Sequence, residues 1–148
     1  MSLRTSVKRL TNSLHVKQHV RFSPDGKYLV YARTIGAYIR LMKVKAGGGE
    51  EQPLFPDRKE DYIQQHPAWS PDGKQLALVI RDQDPDADAG PGPWVIDSLK
   101  FKEDYVGYLN RLRAHLYVFD IDKKSVTQIT SGDYEDYSPA WSPDGSRI

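Results

Sequence analysis

His66-Pro67-Ala68-Trp69-Ser70-Pro71-Asp72-Gly73 returns 72 residues later as Ser138-Pro139-Ala140-Trp141-Ser142-Pro143-Asp144-Gly145. A shorter copy, Phe22-Ser23-Pro24-Asp25-Gly26, precedes both. Each element of the repeat has a local mechanical meaning. Proline at the second position presets φ for a type I turn, aspartate suits the third, and glycine supplies the left-handed residue that closes a bulged hairpin. A serine at the head of such a turn bonds the turn's own backbone. Recurrence in every unit therefore marks Ser23, Ser70 and Ser142 as structural rather than nucleophilic, and Asp25, Asp72 and Asp144 with them.

Strands flank the turns. Tyr28-Leu29-Val30-Tyr31-Ala32 and Leu76-Ala77-Leu78-Val79-Ile80 are apolar at consecutive positions, as expected of strands covered on both faces. A third strand is expected at Tyr38–Met42 and at Leu116–Phe119. Turns follow at Ala46–Gly49 and Asp122–Ser125, and then a short fourth strand at Val126–Thr130, with Pro53-Leu54-Phe55 as its weaker counterpart. Val7–Thr11 aligns with Val126–Thr130 and is expected to be another fourth strand. Four short strands per unit with an aromatic turn signature predict a β-propeller blade. The fold class is therefore all-β, a partial β-propeller of about two complete four-stranded antiparallel blades with flanking strands. Trp69 and Trp141 hold equivalent positions and are expected to pack between blades.

The spacing locates one irregularity. Ser23 and Ser70 are 47 residues apart, close to a blade repeat, whereas the next interval carries 25 more. The insertion falls between the second and third strands of the second unit, at about residues 82–113. Its first part, Asp82 to Pro93, is acidic and broken by proline and glycine, a loop composition. Trp94–Phe101 suggests an extra strand.

Of the 148 residues, 21 are Lys or Arg and 20 are Asp or Glu, a net charge of +1. That balance argues against a nucleic-acid partner. No apolar run is long enough to span a bilayer and no signal peptide is evident, so no membrane association is expected and a cytoplasmic location is. Without cysteine, disulfides, thiolate metal sites and cysteine nucleophiles are excluded. The alternating Asp82, Asp84, Asp86 and Asp88 have the oxygen chemistry of a calcium loop, but lack the glycine and glutamate spacing of one. His15, His19, His66 and His115 show no metal-pair spacing. Neither a cofactor nor a metal is called for. Tyr134 and Tyr137 lie on the connection between blades, and Arg111 and Arg113 in the insertion; these four are the candidate rim contacts for a ligand or partner.

The Trp–Ser-Pro-Asp-Gly unit resembles the propeller repeat shared by TolB-type proteins and serine peptidases of the prolyl oligopeptidase family. A longer stretch is more particular: Val95–Lys102, Gly107-Tyr108-Leu109, Arg113–Asp120, Gln128–Asp133 and Pro139–Ser142. It resembles the dipeptidyl aminopeptidase and acylaminoacyl peptidase branch. Tyr105 stands where that pattern has a glycine. The resemblance implies an N-terminal propeller that caps a C-terminal α/β-hydrolase domain and limits which peptides reach its catalytic triad. The Gly-x-Ser-x-Gly elbow of such a domain does not occur in these 148 residues, so no catalytic residue is carried over. The expectation is residues 1–148 as an incomplete propeller, with repeat turns at 23–26, 70–73 and 142–145. Its expected partners are the hydrolase domain of a parent peptidase, peptides as ligands, and other copies of the chain through open blade edges. The competing expectation is a stand-alone TolB-like interaction module.

Overall fold

In the computed structural model, residues 7–36, 38–55, 64–82, 102–103, 107–108 and 112–148 are described. Ten strands follow in order: β1 (Lys17–Phe22), β2 (Tyr28–Ile35), β3 (Tyr38–Lys45), β4 (Gln52–Pro53), β5 (Gln64–Trp69), β6 (Gln75–Arg81), β7 (Lys102–Glu103), β8 (Gly107–Tyr108), β9 (Ala114–Asp120) and β10 (Ser125–Gln128). There is no helix among the described residues. The first sheet has the order β1-β2-β3-β4 and the second β5-β6-β9-β10, every pairing antiparallel. Two four-stranded meanders built alike are the two blades the repeat predicts.

The blades share one core. Val30, Ala32, Leu41, Leu54 and Phe55 of the first sheet pack with Leu76, Leu78, Ile80 and Phe119 of the second. Phe55 meets Phe119 edge to face with centroids 4.7 Å apart, a favoured aromatic geometry. On the far face of the first sheet, Leu29, Tyr31, Met42 and Val44 form a second cluster, covered by Leu10 and Ala46. Side chains alternate across a strand, so β2 is buried on both faces, as its unbroken apolar run predicts. In β6 the whole stretch Leu76–Ile80 is buried.

Three expectations change. Val7–Thr11 is not a strand. An outer strand needs a neighbouring edge to bond to; here the segment instead lies on the Gly47-Gly48 turn, where Lys8 Nζ donates to the Gly47 carbonyl at 2.7 Å. A Cβ at Gly48, whose φ is +88°, would sit 3.1 Å from the Leu10 carbonyl oxygen, so only glycine admits this approach. The third repeat closes its turn, with Ser142 N–H donating to the Arg147 carbonyl at 2.9 Å, but forms no strand. The flanking strands are thus absent among the described residues. The fourth strand of the first blade is Gln52–Pro53 rather than Pro53–Phe55, because Leu54 and Phe55 turn inward to the shared core.

The insertion connects β6 to β9, and its base is closed by Asp82 N–H donating to the Arg113 carbonyl at 2.7 Å. Within it β7 and β8 form a short antiparallel pair. Trp94–Phe101, Tyr105, Arg111 and the aspartates 84, 86 and 88 lie outside the described residues.

Candidate functional site

The turn rim is built from three identical networks. In the first, Ser23 Oγ lies 2.6 Å from Asp25 Oδ1 and accepts from Tyr28 N–H at 3.0 Å, while Lys27 N–H donates to Asp25 Oδ1 at 3.0 Å. Ser70 and Asp72 do the same with Lys74 and Gln75, and Ser142 and Asp144 with Ser146 and Arg147. Gly26, Gly73 and Gly145 have φ of 69°, 72° and 71°, the left-handed values glycine supplies without strain. The serine hydroxyls are committed to their own turns. Successive turns lie side by side: a Cβ added at Gly73 would come to ordinary contact distance, 3.6 Å, of Pro24 Cδ, and one at Gly145 to 3.5 Å of Pro71 Cδ.

Hydrogen bonds from the serine hydroxyls, and then from the backbone, hold Asp25 and Asp72 below the ordinary aspartate value; in Asp144 they bring it down to about 2. A carboxyl that is more acidic folded than unfolded stabilises the fold above its unfolded value and loses that contribution as pH falls through the folded value. The stabilisation these three carboxyls supply is therefore expected to be complete above the unfolded value of 3.8 and, for Asp144, to be lost as pH falls toward about 2. Urea midpoints measured across that range check this. In Ser70→Ala the Asp72 contribution to the slope should shrink to the part supplied by the Lys74 backbone and charge; an unchanged slope would refute the assignment.

Between the two blades, on the turn rim, lies a groove of about 520 Å³ lined by Pro24, Tyr28, Lys43, Pro53, Trp69 and Phe119 among others. Trp69 packs on the shared core, and its indole N–H is buried without an acceptor. Trp141, its equivalent, donates to the Ala68 carbonyl at 3.0 Å and so ties the third repeat to β5. Both tryptophans pack between repeats.

The opposite rim carries the insertion and the blade connections. His115 is 3% exposed, with Nε2 3.5 Å from Asp82 Oδ2 and Nδ1 3.7 Å from Asp136 Oδ2. Asp82 Oδ2 also accepts from Arg113 N–H at 3.1 Å. Asp136 accepts from Thr130 Oγ1, and its N–H donates to the Ala114 carbonyl at 2.8 Å. This imidazole joins the insertion base to the blade connection. No local sequence pattern marks His115 for this role, because its partners Asp82 and Asp136 lie far off in the chain. Of the candidate rim contacts, Arg113 Nε donates to the Asp133 carbonyl at 3.2 Å. Tyr134 and Tyr137 are exposed, and Tyr137 donates to Glu135.

A third constellation lies on the innermost strands. His19, His66 and Ser138, each four residues before a turn serine, have φ of 53°, 54° and 50°, a conformation uncommon for residues other than glycine. In β1 and β5 this residue sits in a β-bulge: pairing jumps from Gln18 to Arg21 and from Gln65 to Ala68. A bulge re-aims side chains, and here it turns them toward the neighbouring repeat. The rings of His19 and His66 are 3.9 Å apart between centroids, and His66 Nδ1 is 3.4 Å from Ser138 Oγ. Burial, then His19 and Arg21, push His66 below the ordinary histidine value. The sequence showed only histidines without metal spacing. Among the described residues no three His, Cys, Asp or Glu side chains are grouped to hold a metal. No described helix is long and apolar enough to cross a membrane.

No protein-family model matches the chain. Over 134 residues it is 26% identical to the uncharacterized peptidase YuxL of Bacillus subtilis (strain 168), an alignment that covers 84% of this chain and 20% of that protein. The chain thus spans about a fifth of the length of that relative. Among solved structures it is similar to a TolB candidate from Agrobacterium tumefaciens, with TM-score 0.57, 18% identity, and coverage of 93% of this chain and 42% of that one. The acylaminoacyl peptidase of Pyrococcus horikoshii follows with TM-score 0.54 and 18% identity, over 76% of this chain and 17% of the other. The isopeptidase AtxE2 gives 0.51 and 21%, over 75% and 18%. At these identities the structural likenesses carry the fold alone, a propeller. Together the comparisons show a partial propeller that is similar in sequence to one segment of a bacterial peptidase.

Proposed function

We propose that the chain is the substrate-access and domain-docking scaffold of a serine peptidase acting on peptides, and that hydrolysis takes place in a C-terminal α/β-hydrolase domain of the parent. The observation that carries this reading is a two-blade propeller unit whose sequence is 26% identical to a peptidase. The commitment of the repeat serine hydroxyls to their own turns supports it. So does the Ser138–His66 pair: no carboxylate among the described residues orients that imidazole, as a triad requires. With a chromogenic aminopeptidase substrate the isolated chain is expected to give no turnover above buffer. Clear turnover abolished by a serine-directed inhibitor would overturn the reading.

A second reading, a stand-alone TolB-like interaction module, is favoured by the TolB likeness, which extends over 93% of the chain. The reading frame beyond Ile148 separates the two. A Gly-x-Ser-x-Gly elbow some hundreds of residues on supports the peptidase; termination after further blades supports the module. In either case exposed Val20 and Phe22 on β1 favour association with a further blade or a second copy.

A further inference from the structure

Positive charge on this chain is mostly answered where it is partly buried: Lys17 and Arg33 converge on Glu51. The row on the innermost strands is different: the partly buried His19 and His66 stand with an exposed Arg21. Arg21 Nη1 donates only to the neighbouring Val20 carbonyl. His66 meets His19, Ser138 and the edge of Tyr137. No carboxylate among the described residues lies within ion-pair distance of Arg21, His19 or His66. The row is also held open. β1 and β5 each begin a sheet and have no strand beyond them among the described residues, and neither imidazole is fully buried. Backbone strain at repeated left-handed residues keeps the donors on this edge, and such strain persists only where surrounding structure over-determines it.

We propose that Arg21, His19 and His66 form a carboxylate-binding site on the inner edge of the propeller, with the Ser138 hydroxyl as a further donor. A guanidinium fork matches a carboxylate in two parallel hydrogen bonds, and each imidazole adds a donor. The carboxylate is the C-terminus of a peptide or an acidic side chain within one. That it belongs to a peptide rests on the reading of the chain as a peptidase access scaffold; the carboxylate site itself does not. Binding tightens with acidification, because burial and then the neighbouring His19 and Arg21 disfavour a protonated His66, and an arriving anion offsets that cost. The groups that face the row are His19 and Arg21 from β1, His66 from β5, and Tyr137 and Ser138 from the third repeat. Glu135 is engaged by the Tyr137 hydroxyl.

The test is an NMR titration of the four histidine imidazoles in the full chain, at constant ionic strength. Three probes are compared: acetyl-glycylglycine with a free C-terminus, an amidated acetylated peptide containing one glutamate, and its glutamine counterpart. Signals of His19 and His66 should move with both carboxylate probes and not with the glutamine peptide, while His15 and His115 stay fixed. The tighter of the two carboxylate probes identifies the source. Arg21→Gln, an exposed change, should weaken binding by about tenfold, the scale of one charge-assisted hydrogen bond. Movement of all four histidines, an equal effect of the neutral peptide, or undiminished affinity in Arg21→Gln would overturn the proposal. A parent lacking peptidase activity would leave these titrations unchanged, so the two readings fail separately.

Discussion

Leu78→Ala is expected to lower stability by about 3–4 kcal/mol, the cost of a cavity at a fully buried leucine. Leu78 has no exposed surface. It lies in the middle of β6, in the cluster that unites the two sheets. The neighbouring Leu76 and Ile80 are fixed by pairing with Phe119 and His115 on β9, so the strand cannot slide to refill the space. Domains are stable by only about 5–15 kcal/mol, which makes this loss a large share of the whole. It should appear as a fall in the urea midpoint with an unchanged denaturant slope, because the same surface is exposed on unfolding. Lys74→Ala, an exposed change at the head of the same strand, should stay within about 0.5 kcal/mol. A loss below about 1 kcal/mol for Leu78→Ala would mean that the two blades do not pack through β6.

The second large effect concerns Glu51. Its carboxylate accepts from the Tyr31 hydroxyl at 2.5 Å and faces Lys17 Nζ at 3.6 Å and Arg33 Nη1 at 3.5 Å. Burial opposes its ionisation, but hydrogen bonds from Ser13 and Tyr31 and the charges of Lys17 and Arg33 outweigh burial and hold it below the ordinary glutamate value. Burial, and then the carboxylate itself, push Tyr31 well above the ordinary tyrosine value. Glu51→Ala strands a buried phenol and two partly buried cations, and removing one partner of such a pair costs about 3 kcal/mol. Tyr31→Phe removes only the hydroxyl and should cost about 1 kcal/mol. In the double variant the losses should fall short of additive, since both changes remove one hydrogen bond. Chemical denaturation of the four proteins measures this. Full additivity would show that the Tyr31–Glu51 contact contributes nothing.

What the sequence discloses and what it conceals follow from how local the causes are. Proline, aspartate and glycine in the turn each act within four residues, so the turn networks could be written down before any coordinates. The apolar runs of β2 and β6 announce burial on both faces for the same reason. Glu51 offers no such signal, because Ser13, Lys17, Tyr31 and Arg33 come to it from elsewhere in the chain. His115 is equally silent, its two aspartates lying in the insertion and in the next connection. The bulges at His19 and His66 are hidden differently. No glycine marks them, and the left-handed backbone is imposed by register against β2 and β6 rather than by the residue. Val7–Thr11 fails in the opposite sense, having a strand's pattern but no edge to pair with.

The side-by-side placing of Pro24 and Gly73, and of Pro71 and Gly145, with room for little more than a methyl group between them, limits where such a chain can gain length. Each turn is the seat for the next, so one added residue there would spoil the fit on both sides and alter the angle from blade to blade. The far ends of the strands carry no such restriction, and the 25 additional residues of the second repeat lie there, between β6 and β9. One rim sets the pitch of the ring and tolerates no insertions. The other is free to vary, and lineages that diversify this fold are expected to differ there first.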